Sequence, residues 1–206
     1  SRETFLACLR AQCAPGVAEG PLPAAHLAPS TSSESSPPVP EVDTAAAVLL
    51  SLLDGEVVLA VHGEGPGAEA LTTMAAAVCR ATGARPGPVE EADVVLVHED
   101  PAGAFAVAHR GTSMTPERGA TVVLVGGHGS TLVDLVGPGV PEVRTVTLPL
   151  TPSALDTLHE VNAAYPCGVD LLLVSGRTVT ALPRSVTARP AAQPTPGLPT
   201  EQRVGS

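Results

Sequence analysis

Short runs of small apolar residues, separated by glycine and proline, make up most of this chain. Four stretches carry apolar residues at helical spacing or are apolar all round, and seven are Val- and Leu-rich runs of strand length. The pattern predicts helices at 3–13, 45–53, 68–81 and 152–164 and strands at 56–61, 93–97, 120–125, 131–136, 143–148, 169–174 and 178–182. Because the first two strands are continuously apolar and enclose a helix, they predict a parallel sheet covered by helices.

The second half of the chain predicts antiparallel pairing. The strands at 120–125 and 131–136 flank a loop of sequence GGHGS, and those at 169–174 and 178–182 flank a Ser-Gly turn. Both arrangements are typical of β-hairpins. The predicted fold class is therefore α/β, with three layers: one mixed sheet and helices on both of its faces.

The predicted elements form one domain, residues 1–188. Within it, residues 21–41 are rich in Pro, Ser and Ala and predict a flexible segment. The next two polar residues, Asp43 and Thr44, predict the cap of the second helix. Residues 189–206 contain four prolines and predict a disordered tail.

Composition narrows the possible chemistry. The 206 residues include 11 basic residues, all arginine, against 21 Asp and Glu, for a formal net charge of -10. Without lysine, the chain cannot form a Schiff base or supply a P-loop lysine. An acidic chain also lacks the basic stripe of a nucleic-acid interface. The longest apolar run, 45–53, is shorter than the roughly 20 residues of a membrane span, so we expect a cytoplasmic protein.

Four cysteines are scattered along the chain, and none belongs to a CxxC motif. In a chain long enough to bury a core without cross-links, this spacing predicts reduced, mostly buried thiols rather than disulfides or a metal site. The four are Cys8, Cys13, Cys79 and Cys167.

Three loops are candidates for binding. The loop at 126–129 has backbone donors for a phosphate, but a strand follows it, which favours a hairpin turn. The loop at 63–67 lies between a strand and a helix, yet it lacks the GxGxxG spacing and contains Glu64. The His-Glu-Asp sequence at 98–100 ends a predicted parallel strand, where α/β ligand crevices form, and His109 follows. Since no known catalytic signature occurs, we predict no catalytic, cofactor-binding or metal-ligating residue.

Five segments follow one another in the order of a known family. They are residues 4–11 with the Pro-Gly at 15–16, residues 45–54, GTSMTPERGAT at 111–121, LVGPGVP at 135–141, and NAAYPCGVDL at 162–171 with ALPRS at 181–185. Together they resemble the PhnH family, a subunit of the bacterial carbon-phosphorus lyase system. One departure is Leu6, where the family pattern has arginine.

The resemblance implies a subunit that works with PhnG, PhnI and PhnL. Their assembly displaces adenine from ATP with an alkylphosphonate and forms a ribose 1-phosphonate 5-triphosphate, and the radical iron-sulfur subunit PhnJ then cleaves the carbon-phosphorus bond. The resemblance also implies a homodimer and a fold similar to the large domain of pyridoxal-phosphate-dependent transferases, without that cofactor. The absence of lysine agrees with the last point, because no aldimine can form.

Charge favours an assembly role within such a complex. ATP and a phosphonate together carry about five or six negative charges, which converging cations or backbone donors must neutralise. Scattered arginines in an acidic chain are poorly suited to this. Among the shared positions only Asp170 and Arg184 are charged partners, and we expect them to form a structural ion pair. The alternatives are a stand-alone nucleotide- or phosphoester-binding enzyme that uses the 63–67 or 98–100 loop, and a paralogue that has kept the fold but lost the pathway.

Overall fold

The computed structural model describes residues 1–25, 27 and 39–191. Most of the predicted flexible segment at 21–41, and residues 192–206 of the predicted tail, lie outside the described residues. The helices are α1 (Arg2–Cys13), α2 (Val39–Leu52), α3 (Gly65–Thr82), α4 (Ala102–Val107) and α5 (Pro152–Val161), with a 3-10 turn at Val89–Glu91. The strands are β1 (Val58–His62), β2 (Arg85–Pro86), β3 (Val94–His98), β4 (Arg110–Thr112), β5 (Thr115–Gly119), β6 (Thr121–Val125), β7 (Thr131–Val136), β8 (Arg144–Leu148), β9 (Asp170–Ser175), β10 (Thr178–Leu182) and β11 (Thr187–Pro190).

A six-stranded sheet in the order β10-β9-β6-β3-β1-β2 forms the centre of the fold. Its strands pair in parallel from β2 through β9, and only β10 runs antiparallel, joined to β9 by a tight turn. The predicted mixed α/β sheet and the predicted hairpin at its end are therefore confirmed. The central strands are buried on both faces, which explains their continuous apolar sequences.

The predicted hairpin between β6 and β7 is wrong. Strand β6 lies between β3 and β9 in the central sheet, whereas β7 belongs to a separate three-stranded sheet in the order β11-β7-β8. The two strands differ in pattern: β6 is apolar at nearly every position, while β7 alternates buried and exposed residues. Alternation is typical of a sheet with one face exposed to solvent, whereas a continuously apolar strand is buried on both faces, so β6 and β7 belong to different sheets. The loop at 126–130 thus carries the chain from one sheet to another.

Helix α2 begins six residues before the predicted start, and Asp43 and Thr44 lie inside it rather than at its cap. Proline is tolerated in a first helical turn, and Pro40 occupies that place here. The Thr44 hydroxyl lies 2.6 Å from the Pro40 carbonyl oxygen and 2.9 Å from that of Gly176, so this polar side chain is satisfied although it is fully buried. At the other end of the chain, β11 pairs with β7 through residue 190, beyond the predicted boundary at 188.

Two apolar layers sandwich the central sheet. One contains buried residues of α1, α2 and α3, and the other contains residues of α4, α5 and the three-stranded sheet. Alanine, valine and leucine fill both layers, and Phe105 on α4 is the one aromatic ring in the buried set. In the described part of the chain, no helix combines the length and the apolarity that crossing a membrane requires.

The connections between strands create a switch point in the central sheet. Helix α3 takes the chain from β1 to β2 along one face. The connection from β3 to β6 contains α4, and the connection from β6 to β9 contains β7, β8 and α5; both run along the other face. The chain therefore moves first to one side of β1 and then to the other. In open α/β sheets, ligands bind at the carboxyl ends of the strands where this reversal occurs, which here is between β1 and β3.

The two phenylalanines test the assignment of the core. Phe105 is fully buried and Phe5 is 41% exposed, so we expect Phe105→Ala to lower the free energy of unfolding by about 3–5 kcal/mol and Phe5→Ala to lower it by less than about 1 kcal/mol. Urea unfolding followed by far-UV circular dichroism measures both. Equal losses for the two variants would contradict the described packing.

Candidate functional site

Histidines end both strands at the switch point. His62 is the last residue of β1, and His98 is the last residue of β3. Neither imidazole has a hydrogen-bond partner among the residues the structure describes, and each is partly exposed. Successive residues of a strand point to opposite faces, and the paired register places the two rings on different faces of the sheet. They are therefore neighbours along the sheet edge, but they do not face each other.

Glycines let backbone approach the His98 ring on two sides. A β-carbon on Gly67, in the first turn of α3, would overlap the ring at Nδ1. A β-carbon on Gly126, just after β6, would lie 3.3 Å from His98 Nε2 and 3.5 Å from Glu41 Oε2. The ring and the carboxylate thus meet around Gly126, where α2, β3 and β6 come together.

Glu41 is the second polar side chain near Gly126. Its Oε1 accepts a hydrogen bond from Gly176 N–H at 3.0 Å, which joins α2 to the turn between β9 and β10. Its Oε2 is buried and has no hydrogen-bond partner among the residues that the structure describes. An unpaired buried acceptor costs about 1–3 kcal/mol, so a water or a ligand donor at this oxygen stabilises the arrangement. Together, His98 and Glu41 can hold a small polar ligand.

The loops singled out from the sequence lie at this edge, but the first is shorter than predicted. Only residues 63–64 separate β1 from α3, because residues 65–67 of the predicted loop form the first turn of the helix, and Glu64 precedes it without a side-chain capping bond. The 98–100 loop follows β3, where Asp100 Oδ1 accepts from Ala102 N–H at 3.0 Å and Glu99 adopts a positive φ of 65°. The charged side chains of both loops are acidic. A polyphosphate at this edge would meet several carboxylates, which disfavours it.

Two other candidates lie elsewhere. His109 precedes β4 and is not grouped with His98: its Nδ1 accepts from Gly111 N–H at 3.1 Å. The 126–129 loop is not a hairpin turn, as described above, but its first glycine contacts the His98–Glu41 pair. Sequence reasoning missed His62, although it ends a strand exactly as His98 does, and Glu41, which it assigned to the flexible segment.

The ion pair expected between Asp170 and Arg184 is confirmed. Arg184 Nη2 and Nε donate to the carboxylate at 2.6 and 3.1 Å, and the backbone N–H of Arg184 donates to Asp170 Oδ1 at 2.8 Å. The guanidinium also donates to the carbonyl oxygens of Pro116 at 2.8 Å and Gly119 at 2.9 Å. The Arg184 side chain is 13% exposed. These contacts, here called the arginine clasp, tie the start of β9 and the end of β10 to β5.

Neighbouring motif residues complete the clasp. A β-carbon on Gly119 would overlap both the guanidinium and the Gly168 carbonyl oxygen, so only glycine fits there. The Asn162 side chain holds the next segment: its Nδ2 donates to the Val169 carbonyl oxygen at 3.1 Å, and its Oδ1 accepts from Val169 N–H at 2.8 Å. Residues from three separate motifs therefore build one structural joint. Beside it, a cleft of about 310 Å³ opens, lined by Leu158, His159, Asn162, Ala163, Tyr165, Arg184, Ser185, Val186, Thr187 and Ala188.

The cysteines are free, but only Cys8 is buried; Cys79 and Cys167 are half-buried and Cys13 is exposed. The prediction of mostly buried thiols is therefore wrong. The helical faces explain the difference, because Cys8 points toward the sheet and Cys13, five residues on, points away. In the described residues, no three His, Cys, Asp or Glu side chains are grouped so that they could hold a metal ion.

Comparison with known proteins gives the same assignment as the motifs. Residues 1–189 match the family model described as "Bacterial phosphonate metabolism protein (PhnH)". The chain belongs to the PhnH family. It is also similar to a protein of Stutzerimonas stutzeri called "Putative C-P lyase subunit protein HtxG", with 34% identity over 142 residues, which cover 67% of this chain and 68% of the relative. The match over 1–189 includes every residue of the clasp in this PhnH-family chain.

We expect the clasp to dominate the electrostatic contribution to stability. Arg184→Gln removes the guanidinium from Asp170 and from two carbonyl oxygens and leaves Asp170 only the backbone N–H of residue 184, and removing one partner of such a pair costs about 3 kcal/mol or more. The matched control is Arg10→Gln, since the Arg10–Glu19 pair is 2.8 Å long but its arginine side chain is 56% exposed; its loss costs at most about 1 kcal/mol. Urea denaturation compares the two variants. A clasp variant as stable as the control would contradict this role.

Thiol labelling tests the cysteine environments. Burial raises the pKa of the Cys8 and Cys79 thiols, so less thiolate forms at a given pH. With iodoacetamide we expect Cys13 to react first and Cys8 last, and the rate at Cys79 to keep rising as the pH passes its ordinary pKa of 9.0. Mass spectrometry after digestion with trypsin and a Glu-specific protease, which separates Cys13 from Cys79, measures each site. In urea the differences should disappear; their persistence there would show that folding does not cause them.

Proposed function

We propose that this chain is an assembly subunit of a carbon-phosphorus lyase system. In this role it acts with PhnG-, PhnI- and PhnL-like subunits, which transfer the ribose triphosphate part of ATP to an alkylphosphonate and release adenine, and with a PhnJ-like subunit that acts later. The observation that carries the proposal is the family match over residues 1–189, supported by a relative whose name is that of a C-P lyase subunit.

The arrangement of the motif residues supports an assembly role. Asp170 and Arg184 bond each other, and Arg184 also bonds backbone carbonyl oxygens in the clasp, so these two motif residues serve the fold. A catalytic centre for phosphoryl or ribosyl chemistry needs donors that are free to meet developing negative charge. The Nε, Nη1 and Nη2 atoms of Arg184 all donate to groups of the clasp.

Charge at the switch point supports the same conclusion. Glu41, Glu64, Glu99 and Asp100 lie in or beside the loops that follow β1 and β3, and the chain has no lysine. A triphosphate at this edge requires cations from elsewhere, such as Mg²⁺ or the side chains of a partner subunit. The chain therefore suits a complex in which other subunits hold the nucleotide.

The proposal extends to the state of the chain in the cell. It is a cytoplasmic homodimer whose fold is similar to the large domain of pyridoxal-phosphate-dependent transferases, and it uses no such cofactor. The last feature follows from the lack of lysine, since the cofactor is normally held as an aldimine.

Reconstitution tests the function. We expect adenine release from ATP and methylphosphonate only when the chain is combined with PhnG-, PhnI- and PhnL-like subunits, and we expect the chain to co-purify with them. Chromatography of released adenine measures the reaction, and the same mixture without this chain is the control. If the partner subunits alone reach the full rate, the chain is not needed. If this chain alone releases adenine or hydrolyses ATP, the stand-alone enzyme that uses the 63–67 or 98–100 loop replaces the proposal.

A further inference from the structure

An apolar side chain projects from the tip of the β4–β5 hairpin. Met114 lies in the turn and is 87% exposed, more than any other large apolar residue in the described part of the chain. The two strands form a sheet of their own. Isolated two-stranded hairpins are marginally stable in water, but the arginine clasp fixes this one at its base through Pro116 and Gly119. The hairpin is thus an anchored arm with an apolar tip.

An apolar groove of about 590 Å³ opens at one edge of the central sheet. It runs between α3 and the edge strands, where β2 pairs with β1 at only two positions, Val58 and Leu59. The edge of β1 beyond Leu59 therefore has no neighbouring strand among the described residues. Small side chains make the groove wide. Its lining is Leu59, Val61, Thr72, Ala75, Ala76, Cys79, Arg80, Ala84, Pro86 and Gly87.

We propose that the groove receives the Met114 tip of a second copy of this chain. This inference rests on the homodimer proposed above and names its contact surfaces. The exposed Met114 side chain and the open apolar groove lie on the same chain, so two copies can each supply one side of the contact. A flexible methionine side chain fills irregular apolar space well, and the groove volume lies within the usual range of about 300–1,000 Å³ for binding pockets.

The positions of the two halves allow a reciprocal exchange. Arg85 of β2 lines a cleft together with His109 and Arg118, which flank the arm at its base, and the next residue, Pro86, lines the groove. The arm and the groove therefore open on adjoining sides of β2. A two-fold axis beside β2 brings each arm toward the groove of the other copy, which closes the assembly at two chains.

Charge complements the apolar contact. Arg80 lies on the groove lining, and Glu117 is exposed on β5, three residues after the tip. Neither side chain has a partner within the described residues, so the exchange pairs the Arg80 guanidinium of one copy with the Glu117 carboxylate of the other. Such a pair at the rim fixes orientation more than affinity.

Disulfide trapping tests this contact, because the groove contains a native thiol. One variant carries Met114→Cys and Cys79→Ser, and the other keeps Met114 and Cys79; in both, Cys13→Ser and Cys167→Ser remove the other exposed or half-buried thiols. The two are mixed in equal amounts at pH 8.5 with diamide, which takes up the two electrons and two protons released. We expect most of the mixed dimer to carry a disulfide between positions 114 and 79, identified by mass spectrometry of the linked peptides.

The matched control places the new thiol at another exposed apolar position. It is Val107→Cys, since the Val107 residue is 43% exposed. We expect its cross-linking to Cys79 to be at least ten-fold lower. If the two cross-link equally, or if neither does although the chain is dimeric, the contact lies elsewhere and the inference is overturned.

Sedimentation equilibrium separates this inference from the dimer itself. Met114→Ser removes the apolar tip at an exposed position, so folding is preserved, and we expect the dissociation constant of the dimer to rise at least ten-fold. A wild-type chain that remains monomeric at all concentrations overturns both the homodimer and the inference. A dimer that Met114→Ser does not weaken overturns the inference alone, and neither result bears on adenine release by the complex.

Discussion

The guanidinium of Arg184 holds together parts of the chain that are far apart in sequence. It meets the carboxylate of Asp170, at the start of a central strand, and two carbonyl oxygens on the strand that leads into the middle of the same sheet. With 13% of its side chain exposed, it is partly shielded from water, so its charge needs these partners. This joint fixes the positions of three parts relative to one another: the central sheet, the β4–β5 hairpin, and the segment after β10 that leads to β11 in the three-stranded sheet.

This joint also explains why the strongest sequence motifs point to no reaction. Gly119 lies where a β-carbon would overlap the guanidinium, and Asn162 fixes the loop before β9. These contacts make this part of the fold rigid, and a subunit that must fit several partners benefits from a rigid surface.

Local pattern was enough to predict most elements and the α/β class, and the positions shared with the family led to the Asp170–Arg184 pair. It was not enough to place β6 and β7 in different sheets, because the glycine loop between them has the composition of a hairpin turn. The evidence was nevertheless present in the alternation of β7, which is absent from β6. The meeting of Glu41 with His98 could not be predicted, since it joins residues 57 positions apart and follows a stretch in which no helical pattern is visible.

The last described strand has a consequence for the synthesis of this protein. Strands β9, β10 and β11 come from residues 170–190, yet β9 and β10 complete the central sheet and β11 completes the small one. Until the ribosome has made these residues and they have left its exit tunnel, the buried faces of β6 and β7 lack their partners. The nascent chain must therefore keep more than a hundred residues of Val- and Leu-rich sequence from aggregating, and both sheets are completed only after residue 190 has left the exit tunnel. Chaperones that bind apolar strands should matter more for its yield than for its activity.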